Sequence, residues 1–192
     1  MKAIVYFNPK INNGIEGAIN LIQRKNHTNF QVNLKGLKPN TVHAIHIHEY
    51  GNLSEGCHSS GSHYNPKNVN HGFEAPYKHV GDLINNLHSD SAGTVKGYFN
   101  DSMVKVKDVI GRAIVIHDLA DDYGLQGVLV NDSVIPYKCL SLPILQKLVI
   151  DRGYYKKSNL PRKNILIKKL NAESLKTGNA GGRMACAIIG RN

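Results

Sequence analysis

No run of 18 apolar residues occurs in this 192-residue sequence, so a membrane-spanning helix is not expected. The apolar stretch nearest its start, Ala3 to Phe7, stops at Asn8-Pro9. That is too short for the core of an export signal and reads better as a first strand. Cysteine is scarce, at three residues, and without an export signal this predicts a reducing, cytoplasmic setting in which disulfides are the exception. Internal repeats and low-complexity tracts are missing too. Acidic residues are in deficit, 14 against 24 Lys and Arg, and the formal charge of +10 implies an anionic substrate or partner. A chain of this length is most simply one domain, 1–192, large enough to bury a real core.

What is present is histidine, concentrated between His43 and Asp82. In His46-Ile47-His48 the two imidazoles are two residues apart, which on a strand puts both on one face. The stretch continues through Cys57, His63, His71 and His79 to Asp82, broken by Gly51, Gly56, Gly61, Gly72, Pro66 and Pro76. A connection of that length inside a compact domain is functional or disordered. Its imidazoles, closed by a carboxylate, predict a metal site suited to zinc or copper rather than calcium or magnesium. His27, His58 and His88 read as structural or solvated, and His43 as packing against the metal loop without ligating.

The rest of the pattern is that of an all-β protein. Residues 2–8, 15–23, 41–48, 113–116 and 184–189 read as strands. Phe30, Val32 and Leu34 alternate with Gln31, Asn33 and Lys35, as on a half-buried strand. Residues 82–88 and 94–100 bracket a hairpin signal at Ser89-Asp90-Ser91-Ala92-Gly93. Short strands separated by turn signals predict a Greek-key β-barrel or sandwich.

Four motifs, His46-Ile47-His48-Glu49-Tyr50-Gly51, His79-Val80-Gly81-Asp82, Ile116-His117-Asp118 and Gly178-Asn179-Ala180-Gly181-Gly182-Arg183, resemble copper–zinc superoxide dismutase, most closely its eukaryotic cytosolic type. The resemblance covers about 1–127 and 171–192. It implies one copper per subunit on His46, His48, His63 and His117, and one zinc on His63, His71, His79 and Asp82, with His63 shared. Copper needs neutral nitrogen ligands that tolerate both oxidation states, whereas zinc takes a closed tetrahedral site. By the same resemblance Asp121 links a copper histidine to a zinc histidine. Arg183 guides and orients superoxide, Lys176 steers it inward, and Cys57 and Cys186 form a disulfide that the family keeps in the cytosol. Cys139 is left as a free thiol. The implied reaction converts superoxide to dioxygen and hydrogen peroxide, with His63 carrying a proton. A homodimer and a copper chaperone are implied partners, although Arg191 stands where the family's C-terminal dimer contact is apolar. The alternative is a copper/zinc delivery or buffering protein without turnover.

Residues 128–170 depart from the family pattern. This insertion carries nine Lys and Arg against Asp132 and Asp151, a net charge of +7. Leu142, Leu145, Leu148 and Val149 fall near helical spacing, whereas Ile165-Leu166-Ile167 suits a strand, and the sequence leaves the choice between helix and strand open. It is expected to form a mainly peripheral lobe, removable by joining Gly127 to Asn171, and it leaves open a nucleic-acid or acidic partner.

Overall fold

The computed structural model describes residues 1–130 and 133–192; Asp132, counted in the charge of the insertion, lies outside the described residues. In chain order the elements are β1 (Lys2–Phe7), β2 (Glu16–Gln23), β3 (Thr28–Lys35), β4 (Val42–His48), β5 (Ser54–Cys57), β6 (Asn86–His88), β7 (Val95–Asp101), α1 (Val106–Val109) and β8 (Ala113–His117). There follow β9 (Gly127–Val130), β10 (Ser133–Pro136), α2 (Leu142–Asp151), α3 (Lys163–Thr177), β11 (Arg183–Ile188) and β12 (Gly190–Arg191).

The strands form two main sheets, β12-β1-β2-β3-β7 and β11-β8-β4-β6, with β9 and β10 as a separate hairpin. All pairings are antiparallel, and the chain changes sheet between β3 and β4, β6 and β7, β7 and β8, and again between β11 and β12. These are the crossovers of an all-β Greek-key sandwich. Alternation decides which side chains enter it. Phe30, Val32 and Leu34 of β3 are buried and meet Ile45, Ile47, Ile114 and Ile116 of the facing sheet. Each such side chain contributes about 1.5–3 kcal/mol on burial. Phe30 and Phe99, paired across β3 and β7, stack with ring centroids 4.7 Å apart.

The expected strand over 82–88 is shorter. Only Asn86–His88 pairs, because Val80–Asp82 forms a 3-10 turn and Leu83 and Asn85 have positive φ. The turn aims Asp82 away from the sheet and back at the histidines, which an extended strand could not do.

β4 is buried on both faces. Ile45 and Ile47 point into the core, so His46 and His48 point outward, beneath the long connections that roof this sheet. β8 pairs with β4 on one side and with β11 on the other, placing Arg183 opposite His117. The Cys57–Cys186 disulfide, Cα atoms 5.6 Å apart, ties the first connection to β11. On the chain-entropy account, closing a loop of that size is worth roughly 4–5 kcal/mol.

Both ambiguous apolar stretches of residues 128–170 are helical. In α2, Leu145 and Val149 are buried one turn apart; in α3, Leu166, Leu170 and Ser174 repeat that spacing. They pack with Tyr137 and Leu140 as a second apolar cluster, distinct from that of the sandwich. The Ile165-Leu166-Ile167 run is helical because only Leu166 need be buried, and the next buried side chain comes four residues later. The boundary at 170/171 falls inside α3, so joining Gly127 to Asn171 would cut a continuous helix.

Candidate metal centre

Six histidines and two aspartates converge above β4 and β8. His46 and His48 come from β4 and His117 from the end of β8, while His63 hangs from the long connection and bridges to His48. His46, His48, His63 and His117 bring one ring nitrogen each to within 4.8 Å of one another. His63, His71, His79 and Asp82 make a second set to the same limit, and all of these residues are buried. His63 belongs to both.

The second set is built around Asp82. Its Oδ1 lies 3.0 Å from His63 Nδ1, 2.9 Å from His71 Nδ1 and 3.0 Å from His79 Nδ1. Its Oδ2 accepts from the His79 and Gly72 backbone N–H groups at 2.9 and 3.1 Å, which fixes the carboxylate from behind. Three nitrogens and one oxygen closing on a common point match the ligand types of a structural zinc site. Burial works against the Asp82 charge, but bonds to His63, His71 and His79 outweigh it and hold the carboxyl well below its usual range.

A third set, His46, His71 and Asp121, serves as a strut. Asp121 Oδ2 accepts from His46 Nε2 at 2.7 Å, and Oδ1 accepts from His71 Nε2 at 2.9 Å. The opposite ring nitrogens are thereby turned into the two clusters. Asn86 pins Asp121 at both ends of its own backbone, accepting from its N–H at 2.8 Å and donating to its carbonyl at 3.0 Å. Burial pushes His71 down, but its bonds to Asp121 and Asp82 carry it up to about 10. The pocket around it therefore favours one positive charge.

In the first set the surroundings of His48, His63 and His117 disfavour positive charge. Burial and then His46 bring His63 down to about 3. Burial, with the neighbouring rings next, holds His48 and His117 well below the ordinary value. His46 Nδ1 and His63 Nε2 are buried without a hydrogen-bond partner among the described residues. Leaving a buried polar nitrogen unmatched costs about 1–3 kcal/mol, so aiming two of them at one point fits a cation there. Uncharged imidazoles suit copper, which must be held in two charge states.

Arg183 is half-buried next to His48. It donates to the Cys57, His58 and Gly61 carbonyls at 2.8, 3.0 and 2.6 Å, and the Gly61 oxygen also meets His48 Nδ1 at 2.9 Å. The disulfide thus holds the strand that carries Arg183 against the loop whose carbonyls orient it. Lys176 is exposed and shares a depression of about 400 Å³ with His63 and His79. His27, His58 and His88 join none of the clusters.

His43, expected to pack against the metal loop without ligating, is in none of the donor sets and is buried with Nδ1 2.9 Å from the His117 carbonyl at the end of β8. Other contributors were not singled out by sequence. Asp122, Ser174, Asn179 and Tyr137 form a buried polar hub beside the strut. The one hint was Asp122 next to Asp121, two adjacent acids in a chain poor in them.

A Greek-key sandwich with two buried donor clusters sharing one imidazole defines a binuclear metalloprotein. Residues 15–134 match the family profile of copper/zinc superoxide dismutase (SODC). The chain is 35% identical over 180 residues to a superoxide dismutase [Cu-Zn] of Paramecium bursaria Chlorella virus 1, covering 92% of this chain and 73% of that one. It is 34% identical to that of Candida glabrata, over 92% and 90%. An extracellular superoxide dismutase [Cu-Zn] of Drosophila melanogaster is 32% identical, over 93% and 77%. The solved structure of the clock protein EA4 superposes with a TM-score of 0.70 at 30% identity, over all of this chain and 94% of that one. The chain belongs to the copper/zinc superoxide dismutase family.

Proposed function

We infer that this chain disproportionates superoxide to dioxygen and hydrogen peroxide, with copper at His46, His48, His63 and His117 and zinc at His63, His71, His79 and Asp82. The observation that carries this reading is His63, one ring facing both donor sets. Copper held by these four imidazoles would supply the one-electron chemistry of the reaction. The residues supply the remainder. Arg183, its Nη atoms fixed by loop carbonyls, offers charge to the anion beside the first set. Lys176 adds charge at the neighbouring depression and draws the anion in. His63 Nε2, buried and unpartnered among the described residues, is the atom where a proton can be held for transfer to reduced superoxide. Asp121 keeps His46 and His71 in register, so that the two metals share one frame.

The test is metal analysis with a superoxide-decay assay on the same purified protein. One copper, one zinc and fast decay are expected; full occupancy with negligible decay would favour a delivery or buffering role instead. The basic insertion within a single domain is part of this proposal, and so is a homodimer. Tyr50 and Ile188 are exposed on either side of Gly51, supplying apolar surface, while Arg191 is exposed nearby in sequence. Sedimentation velocity decides the oligomeric state. Neither a copper chaperone nor a nucleic-acid partner is needed for this reading.

A further inference from the structure

Asp121, the strut between His46 and His71, is followed directly by a second buried acid, and that acid is held by Tyr137 of the 128–170 segment together with Ser174 and Asn179, which follow it. Tyr137, fully buried, donates its hydroxyl to Asp122 Oδ2 at 2.6 Å. Asn179 Nδ2 donates to the same oxygen at 2.8 Å and lies 3.0 Å from the Tyr137 hydroxyl and 2.9 Å from the Leu170 carbonyl. Ser174 Oγ and the Gly124 N–H donate to Asp122 Oδ1 at 2.9 and 3.1 Å. Two more residues of the insertion complete the clamp. Tyr154 donates to Asn179 Oδ1 at 2.8 Å, and Arg152 Nε donates to the Asn179 carbonyl at 3.1 Å.

A second route joins the same two regions. The N-terminal half of α3 buries Leu166 and Leu170 in the apolar cluster of the insertion, and its C-terminal half reaches the metal centre. The Leu175 carbonyl accepts from the His71 N–H at 2.7 Å. Gly178, at φ +62, closes the helix with its backbone against the Asp121 carboxylate, where a Cβ would collide. Its carbonyl accepts from the Asp122 N–H at 2.8 Å.

We propose that the 128–170 segment is a built-in support of the metal centre, and that Tyr137 is a positioning residue that fixes Asp121, and through it the rings of His46 and His71, by way of Asp122. This rests on the zinc assignment above and adds a residue from outside the donor sets. Removing the Tyr137 hydroxyl leaves the ring in its apolar cluster but takes one of two donors from Asp122 Oδ2. Partners of ligating residues change metal affinity by roughly 10–100-fold, and Tyr137 is one link further away. A weakening of about threefold to tenfold is therefore expected.

The experiment uses the full chain loaded with copper and zinc. Tyr137→Phe is compared with Val32→Ala, a cavity in the sandwich core on the sheet that carries none of the donors, and with Tyr154→Phe. Zinc affinity is read by competition with a chromophoric chelator, the copper visible spectrum is recorded, and thermal midpoints are matched by choice of temperature. The expected result is a threefold to tenfold loss of zinc affinity and a shifted copper band in Tyr137→Phe, a smaller loss in Tyr154→Phe, and zinc affinity within about twofold of the parent in Val32→Ala. Unchanged zinc affinity in Tyr137→Phe, or equal losses in Tyr137→Phe and Val32→Ala at matched stability, would overturn the proposal. Superoxide decay by the parent protein is measured separately, so a failure of the enzymatic reading is seen independently of these affinity ratios.

Discussion

His63 divides its two ring nitrogens between two sites, whereas His117 belongs to one set only. That difference makes the two sites separable by single substitutions. His117→Ala removes a nitrogen from the first set and touches none of the second. Superoxide decay should fall at least a thousandfold, roughly the order attached to losing an essential catalytic group, while zinc content by mass spectrometry stays at the parent level. Decay near the parent rate in a copper-loaded His117→Ala protein would remove His117 from the copper site. Asp82 is the opposite case, since it meets three imidazoles and two backbone N–H groups while fully buried. Asp82→Ala leaves those N–H groups unmatched at about 1–3 kcal/mol each and takes the only carboxylate from its set. Zinc content and the calorimetric midpoint should drop together; if both stay put, Asp82 holds nothing.

At the scale of elements, the period of two in β3 and β4 was legible because a half-buried strand must alternate, and the same rule separated Ile45 and Ile47 from His46 and His48. The short turn at Val80–Asp82 was not legible, since its shape is set by Asp82 bonding back to His79 and Gly72 across the loop. Nor was the helix over Ile165-Leu166-Ile167, where β-branched neighbours suit either structure and the decision comes from Leu166, Leu170 and Tyr137 packing together. The hub of Tyr137, Asp122 and Asn179 joins residues 15 to 57 positions apart, a closeness that no local pattern encodes. That hub has a thermal consequence. Leu166 is fully buried, and Leu166→Ala should cost about 2–5 kcal/mol. Because the 128–170 segment is bonded to Asp122 through Tyr137 and runs on through α3 to Leu175, whose carbonyl holds His71, the loss should lower one cooperative transition in scanning calorimetry. A new low-temperature transition with the main one unchanged would mean that the insertion melts independently of the sandwich.

Over the whole molecule, charge is the property that separates reach from magnitude. The chain carries +10, most of it in residues 128–170, and superoxide is an anion. Attraction raises the encounter rate only where it is felt at the entrance, because charges more than about 8–10 Å away are screened at ordinary ionic strength. Lys176 lines the same depression as His63 and His79, while Lys156 and Lys157 are exposed in the connection between α2 and α3. Total charge and local charge can therefore be set against each other. Lys176→Glu should lower kcat/KM for superoxide by roughly threefold or more at low salt, in line with electrostatic steering, and should flatten or invert its fall with ionic strength. The double variant Lys156→Glu, Lys157→Glu changes the net charge twice as much, yet kcat/KM should stay within about twofold of the parent across the same salt series. Rate constants are compared at equal copper and zinc loading, so that only encounter differs. If the double variant instead slows the reaction more than Lys176→Glu does, the insertion's charge acts on the approach to the copper site, and its role extends from supporting the centre to feeding it.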